Sequence, residues 1–171
     1  MELSPEQQTA FDLYKSGKNI FISGPGGSGK SHLIQVIEQH AKSIGKKYQI
    51  TATTGVAATN LEIKGAKTIN SWGGIGVPKG DFNIIAARIA GNKYKKKPWN
   101  DVDVLVIDEV SMLSMDIFDL LDNIGRVVRK RFDEPFGGIQ VIFSGDFYQL
   151  PPIGQDVRFC FESSRWKECF E

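Results

Sequence analysis

The chain has 171 residues, a net charge of +1, 41% hydrophobic residues and 24% charged residues. That length is one domain with a sizeable core, in the composition range of a soluble globular protein. Near-neutral charge excludes recognition of nucleic acid or membrane by bulk electrostatics, so any anion binding must come from local clusters. The two cysteines, Cys160 and Cys169, lack a second pair or neighbouring histidines and read as reduced structural thiols, not as a zinc site. With no charged-then-apolar leader and no run of about 18 apolar residues, the expectation is an intracellular protein that does not span a membrane.

In chain order, Leu3-Ser4-Pro5-Glu6-Gln7 reads as a helix start. Ser4 is the cap candidate, Pro5 sits in the first turn and Gln7 takes the capping-box position. Asn19 to Ser23 is a short apolar run ending at glycine, as a buried strand does. A helix is predicted from Lys30 to about Ile44, stopped by Gly45, and Tyr48 to Thr53 reads as a second strand. Asp103-Val104-Leu105-Val106-Ile107 is nearly all apolar, as expected of a strand covered on both faces. A helix from about Met115 to Arg131 and a strand from Gly138 to Ser144 complete the pattern. Strands alternating with helices imply an α/β fold with a parallel, doubly wound sheet, whose ligands bind at the carboxyl ends of the strands. Three strands end in suggestive residues: Gly24 onward, Asp108-Glu109, and Gly145-Asp146.

Gly24-Pro25-Gly26-Gly27-Ser28-Gly29-Lys30-Ser31 fits G-x-x-x-x-G-K-[ST] in full, with an apolar strand before it and a helix after it. Glycines let the backbone fold tightly so that successive N–H groups point at phosphate oxygens, and the helix dipole aims at the same anions. Lys30 would reach the β- and γ-phosphates and Ser31 would ligate Mg²⁺. A chance glycine-rich turn is the bland alternative.

Asp108 and Glu109 directly follow a buried strand, where two carboxylates cost desolvation unless a cation or a reaction needs them. A nucleotide-bound Mg²⁺ gives Asp108 a partner, and Glu109 would take the proton from attacking water, worth roughly 10²–10⁴-fold in rate. Two solvated loop acids are the alternative. In Gly145-Asp146-Phe147-Tyr148-Gln149-Leu150-Pro151-Pro152, Gln149 has the reach to meet a γ-phosphate or its water, although a surface turn explains the segment alone equally well.

Together these residues resemble the PIF (petite integration frequency) DNA helicases, relatives of the RecD-type superfamily-one motors. The resemblance spans nearly the whole chain but only the first half of such an enzyme. It implies that residues 1–171 form one N-terminal RecA-like domain binding ATP and Mg²⁺, with the second motor domain absent. Gln7 takes the family's adenine-contacting place, and Gly24 to Ser31 is its Walker A motif. Thr51-Ala52-Thr53-Thr54-Gly55-Val56-Ala57-Ala58 is similar to motif Ia, whose Thr54-Gly55 would touch the DNA backbone. Thr68 to Gly76 resembles motif Ib, except that Asn70-Ser71-Trp72 stands where the family usually shows His-Ser-Phe. Val106 to Leu113 matches motif II, and Phe136-Gly137-Gly138-Ile139-Gln140 leading to Pro152 matches motif III.

The resemblance implies ATP-driven 5′ to 3′ translocation on single-stranded DNA, with unwinding in repair, recombination or telomere maintenance. Ser71 and Trp72 become DNA-binding candidates. Trp72 would either stack on a base, at about 1–3 kcal/mol, or pack in the core. Lys93-Tyr94-Lys95-Lys96-Lys97 would pair with phosphates or form a solvated charge run, the simpler reading. His32 and His40 read as packing or surface residues. The family's second domain carries an arginine facing the γ-phosphate, worth about 10³–10⁵-fold in turnover. The expectation is therefore ATP binding with slow hydrolysis. The competing readings are a nucleotide-gated single-stranded-DNA-binding module and a phosphate-loop nucleotide kinase.

Overall fold

The computed structural model describes residues 2–24, 29–146 and 158–170. Five strands form one parallel sheet: β1 (Ile20–Ser23), β2 (Tyr48–Ala52), β3 (Lys67–Thr68), β4 (Val104–Asp108) and β5 (Gln140–Gly145). Their spatial order is β1-β5-β4-β2-β3. β5 therefore separates the strand before the phosphate loop from the strand that ends in Asp108. All strand pairs run the same way, so every carboxyl end opens on one rim of the sheet.

The covering elements are α1 (Pro5–Lys15), α2 (Lys30–Ser43), α3 (Gly55–Asn60), α4 (Ile69–Gly73), α5 (Phe82–Ala90), α6 (Lys93–Asp101), α7 (Met115–Arg129) and α8 (Ser164–Phe170), with 3₁₀ turns at Val110–Met112, Pro135–Gly138 and Cys160–Glu162. Side chains of β4 alternate between two cores, as the period of a strand requires. Val104 and Val106 join Tyr14, Leu33, Ile34 and Ile37 beneath α1 and α2. Leu105 and Ile107 join Trp99, Phe118, Leu121, Ile124 and Phe143 beneath α5 to α8. Both faces are covered, which is why β4 reads as a continuous apolar run.

The capping box at α1 forms as the sequence predicts. Ser4 Oγ accepts from the Gln7 N–H at 3.2 Å, and Gln7 Oε1 accepts from the Ser4 N–H at 2.8 Å. The predicted strand from Gly138 begins instead at Gln140. Residues 135–138 form a tight turn in which Phe136 (φ +53°) and Gly137 (φ +64°) are left-handed. That turn is clamped to α7: the buried Asp122 carboxylate accepts from the Phe136 N–H at 2.7 Å, from Arg126 Nε at 2.9 Å and from Arg165 Nη1 at 3.0 Å. α8 thus closes over α7 and the turn together.

Both cysteines are buried and free, as expected of structural thiols. Burial pushes the Cys160 thiol up to about 12 and raises Cys169 as well. His40 packs edge-on against Phe11 and Tyr14 and shares a 2.9 Å hydrogen bond with the Tyr14 hydroxyl, a packing role. No helix among the described residues is long and apolar enough to cross a membrane.

Candidate nucleotide site at the carboxyl rim

β1 delivers the chain to Gly24, and α2 begins at Lys30 with Gly29 as its N-cap. Pro25, Gly26, Gly27 and Ser28 lie outside the described residues, as does Gln149. Gly29 is left-handed (φ +86°), and a Cβ there would stand 2.3 Å from Gln7 Nε2. The left-handed backbone favours glycine, and a Cβ would push the Gln7 amide off the loop. Gln7 Nε2 donates to the Gly29 carbonyl at 3.1 Å while its oxygen caps α1, so one amide ties the first helix to the phosphate loop. A cleft of about 280 Å³ lies between them, lined by Gln7, Ala10, Phe21, Gly29, Lys30 and Leu33 among others. Lys30 Nζ donates to the Gly24 carbonyl at 2.5 Å, across the mouth of the loop.

The acidic pair stands on the other side of the same helix start. Ser31, Asp108 and Glu109 line one cavity of about 340 Å³ with Thr54, Asn60 and Met112. The spacing of motifs along the chain is thus converted by the parallel sheet into a single site. Asp108 is 7% exposed. Burial raises its carboxyl above the ordinary range, while the Glu109 N–H, the neighbouring Ser144 hydroxyl and the Lys30 charge pull it down. Ser144 Oγ stands near enough to favour the ionised form but meets no partner in full hydrogen-bond geometry. Glu109 is raised first by burial and then by the Asp108 charge, is lowered by Lys30, and is raised again by Asp146.

Four charged groups from three strand ends therefore feel one another: Lys30, Asp108, Glu109 and Asp146. A buried carboxylate held above its usual range, beside a serine hydroxyl and an unsatisfied second hydroxyl, is a donor set suited to a hard divalent cation. The residues present fit Mg²⁺, which Ser31 and Asp108 could hold. Glu109 is a non-glycine residue in the left-handed region (φ +59°, ψ +43°). Such backbone costs on the order of 1–3 kcal/mol and persists where surrounding structure enforces it. Here Thr53 enforces it, donating from N–H to the Asp108 carbonyl at 3.1 Å and from Oγ1 to the Glu109 carbonyl at 2.9 Å.

Thr53, Ser144 and Asp146 are the site residues that sequence reasoning did not weigh one by one. Asp146 stood in a strand-end motif, whereas Thr53 carried no signal beyond its place before Thr54-Gly55. Thr54 caps α3, accepting from the Ala57 N–H at 3.1 Å, and Gly55 is exposed beside it. Ser71 is exposed on α4. Trp72 is 8% exposed and packs on Trp99, with ring centroids 4.7 Å apart, which favours the core-packing reading of the two.

Residues 2–171 match the profile of the PIF1-like helicase family. The chain belongs to that family. It is 42% identical over 172 residues to the ATP-dependent DNA helicase PIF1 of Saccharomyces cerevisiae (strain YJM789), covering 97% of this chain and 20% of the relative. The chain thus spans about a fifth of that relative's length. Its fold matches the crystal structure of Pif1 helicase from Candida albicans with a TM-score of 0.90 at 38% identity, covering 100% of this chain and 39% of the other. It matches Pif1 helicase from Bacteroides in complex with ADP-AlF3 and single-stranded DNA with a TM-score of 0.79 at 32% identity, covering 98% and 40%. The RecA-like α/β architecture expected from the motifs is that of these PIF1-family structures.

Proposed function

We propose that this chain is the ATP-binding motor domain of a PIF1-like DNA helicase, which couples nucleotide hydrolysis to movement along single-stranded DNA. The observation that carries the reading is the cavity shared by Ser31, Asp108, Glu109 and Thr54. In it the phosphate-loop helix, the acidic strand end and the first DNA-facing candidate meet.

The triphosphate lies along the start of α2, where orphan N–H groups and the helix dipole favour anions. Lys30 exchanges its Gly24 carbonyl for phosphate oxygen, and the adenine occupies the cleft beside Gln7. When bound, Mg²⁺ screens phosphate charge and polarises the γ-phosphoryl group. Ser31 and Asp108 would hold it, and its charge would offset the desolvation that raises Asp108. Glu109 accepts the proton of the attacking water, its raised pKa making it a stronger base than an exposed glutamate. Gln149, outside the described residues, remains the candidate to orient that water.

Thr53 is bonded to the backbone of both acids, and the next two residues, Thr54 and Gly55, are the proposed DNA contacts. Displacement of this segment by a bound strand is therefore transmitted directly to the catalytic pair. Movement 5′ to 3′, and roles in repair, recombination or telomere maintenance, are the finer parts of this proposal. Alone, the chain binds Mg-ATP and turns it over slowly.

The decisive experiment measures Mg-ATP binding and turnover for the wild type and Lys30→Ala, each with and without single-stranded DNA. The expected result is binding that Lys30→Ala weakens at least tenfold, about 1.4 kcal/mol or more, with low turnover in both proteins. Equal binding by the two would refute the site, and phosphate transfer to a nucleoside acceptor would favour a kinase.

A further inference from the structure

A second cleft, remote in sequence from the phosphate loop and the acidic pair, carries a different chemistry. Its volume is about 280 Å³, and it lies between the 74–79 loop, α5 and the start of α6. The charged residues that line it are Lys79, Arg88 and Lys95, all exposed, and no carboxylate is among the lining residues. Among the described residues none of the three makes an ion pair or side-chain hydrogen bond, whereas Lys97 nearby is paired with Asp101 at 2.7 Å. The charged lining of the cleft is thus entirely cationic, which favours an anionic occupant.

The cleft is also built rather than accidental. α4 is capped by Gly74, and the turn after it is held by Asn70. The Asn70 carbonyl accepts from Ile75 and Gly76 N–H at 3.1 and 3.3 Å, and Asn70 Nδ2 donates to the Gly76 carbonyl at 2.9 Å. A Cβ at Gly74 would stand 3.5 Å from the Lys95 stem, so the stem runs past this turn. α6 is bolted to α4 by Trp99, whose Nε1 donates to the Gly73 carbonyl at 3.1 Å and whose ring packs on Trp72. Trp72 and Asn70, which depart from the expected base-contacting pattern, thus act as positioning residues for the cleft.

We propose that Lys79, Arg88 and Lys95 form a phosphodiester-binding cleft that grips the backbone of single-stranded DNA beside the exposed Ser71. The inference deepens the DNA-facing part of the proposed function and rests on it. Continuity favours this occupant, because Ser71 and the cleft's floor belong to one helix and its capping turn. Tyr94, next to Lys95 in sequence, is 81% exposed and offers an aromatic surface that an acidic peptide would not require. Contacts of this kind read no sequence and respond steeply to salt.

The test compares the wild-type chain with the triple variant Lys79→Ala/Arg88→Ala/Lys95→Ala, titrating a short labelled oligo(dT) strand from about 50 to 200 mM salt. Loss of three phosphate contacts should make the slope of log affinity against log salt shallower by about 2. A fourfold rise in salt then costs the wild type roughly twentyfold more affinity than the variant. The charge-preserving Lys79→Arg/Arg88→Lys/Lys95→Arg protein should keep the wild-type slope. Equal slopes for wild type and alanine variant, no oligo(dT) binding by the wild type at low salt, or displacement by polyglutamate as effective as by oligo(dT) would each overturn the cleft. Mg-ATP binding measured on the same samples separates these failures from failure of the nucleotide site, since none of the three residues lines it.

Discussion

Replacing Gly125 by alanine tests the interlock that positions β5. Gly125 lies within α7, where alanine is intrinsically favoured by about 1 kcal/mol. Against that, a Cβ at this position would stand 2.6 Å from the Phe136 carbonyl oxygen, 2.7 Å from its carbon and 2.9 Å from its Cα. All three are backbone atoms, so no side-chain rotation relieves the clash. The turn cannot retreat cheaply either: its Phe136 N–H is bonded to buried Asp122, and Gly137 approaches α7 closely from the same side. Overpacking of this kind costs typically 1–3 kcal/mol and more when the obstacle is rigid. With the helix gain subtracted, the expected net loss is about 2 kcal/mol, a fall in Tm of roughly 4–8 °C for a domain of this size. The assay is thermal unfolding followed by circular dichroism, with Gly91→Ala as the control. At Gly91 the nearest obstacle to a Cβ is the Ala87 carbonyl at 3.4 Å and φ is ordinary, so little change is expected. An unchanged or raised Tm for Gly125→Ala would refute the interlock.

Four further outcomes are expected. Because burial raises the Asp108 carboxyl, its ionisation opposes folding as pH rises above the ordinary carboxylate value of about 4. Asp108→Asn should therefore melt above the wild type near neutral pH, with the gap closing on acidification. The same variant should lose the Mg-ATP-dependent rise in Tm, which for the wild type is about 2.7 kcal/mol of stabilisation at a hundredfold excess over Kd. A Tm below wild type at neutral pH would contradict the desolvation argument. Gln7→Ala removes both the α1 cap reciprocation and the bond to Gly29, so stability should fall by about 1 kcal/mol and nucleotide affinity with it; calorimetry showing unchanged affinity would dissociate Gln7 from the loop. Finally, a thiol reagent should label neither Cys160 nor Cys169 in the folded protein and both in denaturant, since burial keeps each protonated and enclosed.

The sheet and its rim were legible because their signals are dense. β4 is apolar at every interior position, and a complete phosphate-loop pattern fixes both the strand before it and the helix after it. Other elements carried conflicting signals. α6 begins with a lysine run and contains Pro98, which reads as a breaker, yet Asn92 caps it through the Tyr94 and Lys95 N–H groups and Trp99 anchors it. The start of β5 was misplaced because nothing in Phe136 announces a left-handed aromatic; that conformation is imposed by Asp122 and Gly125 from α7. Trp72 was open between base and core because a tryptophan's neighbours are set by α6, which the sequence did not reveal. Asn70 reads as a departure from a family pattern, and only the bonds to Ile75 and Gly76 give it a purpose.

The strand that leads into the phosphate loop has a single partner in the described sheet, β5, and pairs with it through Ile22 and Ser144. A ribosome must therefore finish most of the domain before that strand can be zipped into place. Until then the strand leading into the nucleotide-binding motif lacks its sheet partner. Shortened forms ending ahead of Gln140 should carry every residue of the phosphate loop and still fail to bind nucleotide. Capture of ATP by a nascent chain would consequently report that the whole sheet has closed.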